Sequence, residues 1–205
     1  MNKHLRIALA AVGLTAISAG AMAASNVLPT GWSVITTLGT TGTLRAGSGW
    51  DAGSLASHSS IVDGVFLAEN TQWNHGSWWW DQDPSVNASP VVTTIQLNQQ
   101  FTLESFSVQA DDNDTYLIEY WNGASWQTAW NIGTQPSYGL VTRHSGMLAP
   151  ITTNQLRFTA TGGDNWYAVS EIQAFGVAAI PEPETYALML AGLGAIGFVA
   201  RRRRG

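Results

Sequence analysis

Cysteine is absent from the 205 residues. No disulfide framework braces the chain, and neither a thiol nucleophile nor a cysteine zinc site is available. Basic residues are almost as scarce through the middle. Between residues 24 and 180 only Arg45, Arg143 and Arg157 stand against twelve acidic residues, a formal net charge of −9 where the whole chain carries −5. Such a body is a poor partner for nucleic acid or anionic lipid, because both need basic contacts. Sustained helical periodicity with good helix formers is also missing, which argues against a helical body. No H-E-x-x-H or G-x-S-x-G motif occurs. None of the body histidines His58, His75 and His144 stands in a recognised order with a serine and a carboxylate. A glycosidase needs only two carboxylates, but it works in a deep cleft of a larger domain. The body therefore reads as a binder rather than an enzyme.

What the middle lacks is found at the ends. Met1-Asn2-Lys3-His4-Leu5-Arg6 is a basic n-region, residues 7–17 are an apolar h-region, and Ala21-Met22-Ala23 is a small-residue cleavage site. Residues 1–23 are expected to be a secretory signal peptide, forming a helix read by the secretion translocon and removed by signal peptidase. At the other end, Pro181-Glu182-Pro183-Glu184 precedes an apolar run over 185–200, then Arg201, Arg202, Arg203, Arg204 and a terminal glycine. Sixteen apolar residues fall short of the roughly 20 that span a hydrocarbon core, a gap that bilayer thinning or snorkelling arginines would close. A C-terminal transmembrane helix over this run is the expectation, with the arginines cytoplasmic and the body outside. The prolines favour extended backbone, so the Pro-Glu-Pro motif is expected to stand clear of the domain.

This tail, 181–205, resembles the PEP-CTERM sorting signal of Gram-negative bacteria. The resemblance implies recognition by an exosortase-type membrane transpeptidase through Pro181, Glu182, Pro183 and the arginines. It further implies an inner-membrane intermediate, tail removal, and delivery to the cell surface or extracellular matrix.

The body, 24–180, has the size of one domain. Its composition of Thr, Ser, Gly, Asn, Trp and Val points to an all-β fold. Phe106, Val108 and Ala110 alternate with Ser107 and Gln109, and Leu156, Phe158 and Ala160 alternate with Arg157 and Thr159, as half-buried strands do. Residues 115–121 and 125–130 flank Asn122-Gly123, which predicts a hairpin with a type I′ turn. Gly162-Gly163-Asp164-Asn165 marks another turn before a last strand near 167–175. An antiparallel jelly-roll β-sandwich is the expected architecture.

Several short segments carry a second resemblance: Ile61-Val62-Asp63-Gly64, Thr71-Gln72-Trp73, the run 116–126 through Tyr120-Trp121-Asn122-Gly123, Leu156-Arg157-Phe158, and Val169-Ser170-Glu171-Ile172-Gln173. In this order, over roughly 45–176, they resemble the discoidin or coagulation-factor type C family, a galactose-binding-like jelly roll that includes bacterial carbohydrate-binding modules. The resemblance implies a structural calcium ion held by Asp63, Thr71 and Glu171. Glu69 would add a carboxylate from a loop longer than the family's usual spacing. The alternative is a plain turn at Asp63-Gly64 and a solvated Glu171. Asp111-Asp112-Asn113-Asp114 lacks the Gly and distal Glu of a helix-loop-helix calcium site and is expected to be a solvated turn.

Ten tryptophans remain to be accounted for. Trp78, Trp79 and Trp80 cannot all face one core, because successive strand residues point to opposite faces, so at least one is expected at a surface or groove. An indole face with nearby polar groups suits a sugar ring. Trp78, Trp79, Trp80, His75, Asp81, Asp83, Arg143 and His144 are the candidate ligand contacts, against the alternative of a loop closing one end of the sandwich. Two functions follow: an exported non-catalytic module that binds exopolysaccharide or another glycan, or a structural or adhesive biofilm matrix protein working through protein contacts without a sugar site.

Overall fold

Nine strands and one long helix form among the residues that the computed structural model describes, which are 24–28, 34–38, 54–82, 91–179 and 182–202. The strands are β1 Ser25–Asn26, β2 Val34–Leu38, β3 Trp78–Asp81, β4 Val92–Asp111, β5 Thr115–Trp121, β6 Trp126–Ile132, β7 Leu140–His144, β8 Ile151–Gly162 and β9 Trp166–Ala178, followed by helix α1, Glu182–Arg202. The expected signal peptide over 1–23 lies outside the described residues, as do Asp83, Pro181, Arg203 and Arg204.

All strand pairings are antiparallel, and β4 organises them. Its first half pairs with β2 and β8, and its second half with β7 and β9. A register shift against β8 between Gln96 and Phe101 marks where the strand passes from one layer to the other, the usual way a strand turns a sandwich corner. One layer runs β2-β4-β8-β5-β6. The other runs β7-β4-β9, with β1 and β3 both on β9. This is the antiparallel β-sandwich that the strand pattern predicts. Ile95, Ile118, Leu156 and Phe158 from the first layer meet Phe106, Val108, Val169 and Ile172 from the second in one buried cluster. Burying each such side chain contributes about 1.5–3 kcal/mol.

The two alternating segments behave differently. In β8, Leu156 and Phe158 are buried while Arg157 and Thr159 are half-exposed, as expected. In β4, Ser107 and Gln109 are buried along with Phe106, Val108 and Ala110, which corrects the expectation of a solvated face. Residues 54–77 lie over that face. The Leu67 N–H donates to Gln109 Oε1 at 2.9 Å, and Gln109 Nε2 donates back to the Leu67 carbonyl at 3.0 Å. Trp73, Trp79, Leu140, Trp166 and Ala168 form a second apolar cluster there, packed by Leu67. The sandwich thus has a third, irregular layer.

The Asn122-Gly123 hairpin forms, but not through a type I′ turn. Only Gly123 has positive φ, +97°. Asn122 Oδ1 instead accepts the N–H groups of Ala124 and Ser125, both at 2.9 Å, and so builds a longer side-chain-closed loop.

Helix α1 corrects two expectations about the tail. It begins at Glu182 and includes Pro183, so the motif is not extended to its end; proline fits the first helical turn, where its missing N–H is not needed. No helix among the described residues is long and apolar enough to cross a membrane. The apolar part, 185–200, is interrupted by Gly192, Gly194 and Gly197 and ends on arginines. At about 1.5 Å per residue it is roughly 24 Å long, against a core of about 30 Å.

Candidate functional site

The residues expected to contact a ligand do not form a surface. Trp78, Trp79 and Trp80 are each no more than 2 % exposed, and Asp81 and Arg143 are buried too. The alternation of faces holds: Trp78 and Trp80 enter the main core with ring centroids 4.9 Å apart. Trp79 enters the second cluster, 5.6 Å from Trp73 in an edge-to-face pair. Both faces are covered, so the expectation of an exposed tryptophan is overturned here. Arg143 points inward, 5.8 Å from the Tyr116 ring centroid, with Nη2 donating to the Asp111 carbonyl. Among the described candidates only His75 and His144 are exposed, and His144 Nδ1 is bonded to Ser107 Oγ at 2.7 Å.

The four residues expected around calcium separate into two groups. Gly64, at φ +84°, turns its N–H to Glu171 Oε1 at 3.0 Å, next to Asp63. Glu171 Oε2 is buried without a hydrogen-bond partner, and burial, aided by the Asp63 charge, pushes this carboxyl up to about 8. A buried orphan oxygen beside a second carboxylate fits a cation. Glu69 and Thr71 are engaged elsewhere. Glu69 accepts from Gln109 Nε2 and from the Thr142 hydroxyl and N–H; burial opposes, but these bonds hold its carboxyl below the usual range. The Thr71 hydroxyl donates to the Ala68 carbonyl. Among the described residues no three His, Asp or Glu side chains converge as a metal-binding group, so the fit is confined to Asp63 and Glu171.

The acidic turn is not solvated at its ends. Asp111 and Asp114 are buried, with Asn113 alone exposed. Burial and then the neighbouring acids push Asp111 up to about 7 and Asp114 up to about 8. Asp164 of the β8–β9 turn closes on them, accepting from Asn113 Nδ2 at 3.1 Å while its N–H approaches Asp114 Oδ1 at 3.4 Å.

Among the described residues an open groove lies elsewhere, where β5 ends and β8 begins. The groove, of about 550 Å³, is lined by Gln100, Trp121, Asn122, Gly123, Thr152, Asn154 and Gln155, a volume suited to a small ligand. The hairpin loop brings Asn122 and Gly123 to it, and the β4 corner exposes Gln100 at its edge. Among the described residues the side chains of Gln100, Asn154 and Gln155 make no hydrogen bond, and neither do Asn122 Nδ2 and the indole N–H of Trp121. The lining holds no carboxylate, so it has no general acid or base. Behind it, Trp121 meets Trp126 edge-to-face at 5.5 Å. Arg157 lies 4.7 Å from the Trp126 ring centroid and is paired with Glu119 at 2.5 Å. None of these lining residues figured among the expected contacts. The available signal was a tryptophan beside the hairpin turn together with two amide-rich runs, 98–100 and 154–155.

No curated protein matches the chain. Among solved structures, it is similar to the family 32 carbohydrate-binding module of Clostridium perfringens NanJ in complex with galactose, at 17 % identity over 69 % of this chain and 93 % of that one, with a TM-score of 0.46. It is also similar to the family 32 module of Streptococcus pneumoniae EndoD, at 12 % identity over 73 % and 98 % of the two chains, with a TM-score of 0.48. Residues 179–204 match the PEP-CTERM protein-sorting motif.

Proposed function

We propose that this chain is an exported, surface-sorted, non-catalytic glycan-binding protein whose tail is processed by an exosortase-type transpeptidase. The sorting motif over 179–204 supports the export half. The observation that carries the binding half is the groove, where an indole and unengaged amides meet at an open surface without a titratable side chain. Such a lining matches a polyhydroxylated ligand, whose C–H faces stack on aromatic rings while its hydroxyls take amide donors and acceptors. It also speaks against hydrolysis at this place, since both glycosidase mechanisms need two carboxyl groups flanking the bond. Asp63 and Glu171 would hold a calcium ion as a structural brace between the 54–77 segment and β9, with oxygen ligands of the kind calcium prefers. The module of NanJ binds galactose in its solved complex, which makes hexoses the first ligands to test.

The test is a glycan array probed with the purified chain, in calcium and again in chelator, together with cell fractionation of the producing bacterium. Glycan retention and a surface-located, shortened product are expected. A well-folded chain that retains no glycan on the array, or in affinity gels cast with the producer's own polymers, would overturn the binding reading in favour of a matrix protein acting through protein contacts.

A further inference from the structure

Resting on that reading, we infer that the groove at the β5–β8 end selects uncharged saccharides and rejects uronate-type polymers. Three observations converge on this. First, every lining side chain is neutral: three amides and a threonine, with Trp121 and Asn122 at the hairpin. A carboxylate bound there would lose water without gaining a cationic partner, a cost that hydrogen bonds from neutral donors only partly offset. Second, among the described residues the cation on the strand beside the groove is already engaged. Arg157 is clamped to Glu119 by two contacts to Oε2, at 2.5 and 2.7 Å, and stacked against Trp126, so it presents no free charge. Third, the body carries nine more negative than positive charges, and a field of that sign repels polyanions over about a Debye length.

The polar atoms define how a neutral sugar is held. Asn122 Oδ1 is consumed by the Ala124 and Ser125 N–H groups, which leaves Nδ2 as a donor. Asn154 gives its backbone carbonyl to Gln96 Nε2 at 3.0 Å, and its side-chain amide makes no hydrogen bond among the described residues. Gln155 likewise keeps its amide. Each of these amides offers both a donor and an acceptor, which suits a hydroxyl that does the same. Trp121 supplies the apolar wall. Its carbonyl accepts from Thr153 Oγ1 at 2.9 Å, which ties the strand end that carries the indole to β8.

Affinity gel electrophoresis of the purified full chain in detergent separates the outcomes. The neutral probes are galactomannan, dextran and xyloglucan, and the acidic probes are alginate and polygalacturonate. Neutral polymers are expected to retard the chain equally at about 0.05 M and about 0.5 M NaCl, since no ion pairs are involved, while the acidic ones do not retard it at either. Trp121→Ala should weaken retention on the order of tenfold, about 1.4 kcal/mol. Asn154→Ala removes a side chain with no structural bond, so it should weaken retention several-fold at an unchanged thermal midpoint. Retardation by alginate or polygalacturonate, or neutral retention unaltered in Asn154→Ala and in folded Trp121→Ala, overturns the inference while leaving glycan binding intact. No retention by any of these polymers, with a blank glycan array as well, overturns both.

Discussion

The Tyr116 hydroxyl lies 3.1 Å from Asp114 Oδ2 and 3.0 Å from the Ala168 carbonyl oxygen, so one proton faces two acceptors. The Ala168 N–H points at the same hydroxyl oxygen at 3.3 Å. Either acceptor can take that proton: an ionised Asp114 accepts it from Tyr116, whereas a protonated Asp114 can donate to Tyr116, which then donates to Ala168. Burial, followed by the charges of Asp111 and Asp164, raises the Asp114 carboxyl to about 8, while its bonds from Tyr116 and the Asp164 N–H oppose that rise.

Stability should therefore fall as the solution becomes alkaline. A carboxyl whose pKa rises on folding, as with Asp111 to about 7 and Asp114 to about 8 from the usual 3.8, binds its proton more tightly when folded. Its contribution is complete below pH 4 and is lost as pH climbs through 7 to 8. Unfolding free energies from urea titrations between pH 5 and pH 9 are expected to drop, by a total on the order of a few kcal/mol. Asp114→Asn, which cannot ionise, should flatten that slope. A midpoint that rises over the same interval contradicts the assignment.

Gly163 stands against the same cluster. It has φ +147°, and a Cβ placed there would overlap the Asp114 carboxylate. Gly163→Ala is expected to cost about 1–3 kcal/mol and to reduce the pH dependence together with the stability. Chemical denaturation of the variant at pH 5 and pH 9 reads both effects. Loss of stability with an undiminished pH slope would mean that the carboxylate simply moves aside.

Trp79→Ala should act on folding rather than on any ligand. The ring fills the cluster of Trp73, Leu140 and Trp166, and removing so large a buried side chain costs about 3–5 kcal/mol. A marked fall in the thermal midpoint is expected. If the variant stays as stable as the parent and loses glycan, Trp79 reaches the surface after all.

Calcium at the Asp63 and Glu171 pair should raise the thermal midpoint at millimolar concentration and chelator should lower it, by RT ln(1 + [L]/Kd) in stability terms. Glu171→Gln should abolish the shift while keeping the bond from the Gly64 N–H. Equal midpoints in calcium and chelator would leave Glu171 a buried protonated acid.

How far the sequence led depends on the periodicity involved. Leu156, Phe158 and Arg157 alternate because one face of β8 meets the core and the other meets water, and that pattern is written in the residues. Ser107 and Gln109 carry the same polar pattern, yet both are buried: a segment some forty residues earlier supplies Leu67 and Glu69 as partners to Gln109, and His144 of β7 is the partner of Ser107. Alternation records polarity but not whether a third layer covers it. The same blind spot misplaced Trp79. The groove escaped for the opposite reason: glutamine and asparagine are ordinary surface residues, and only the folding of 98–100, 122 and 154–155 to one end of the sandwich turns them into a lining.

The Ala179 N–H donates to the Gln100 carbonyl at 2.9 Å. Gln100 is a wall of the groove, and Ala179 is the first residue of the sorting motif. The cavity and the tether therefore leave the domain side by side. On the proposed reading, a chain held by its tail would carry its groove close to the point of attachment. Removal of the tail, on the same reading, would lift that constraint from the groove.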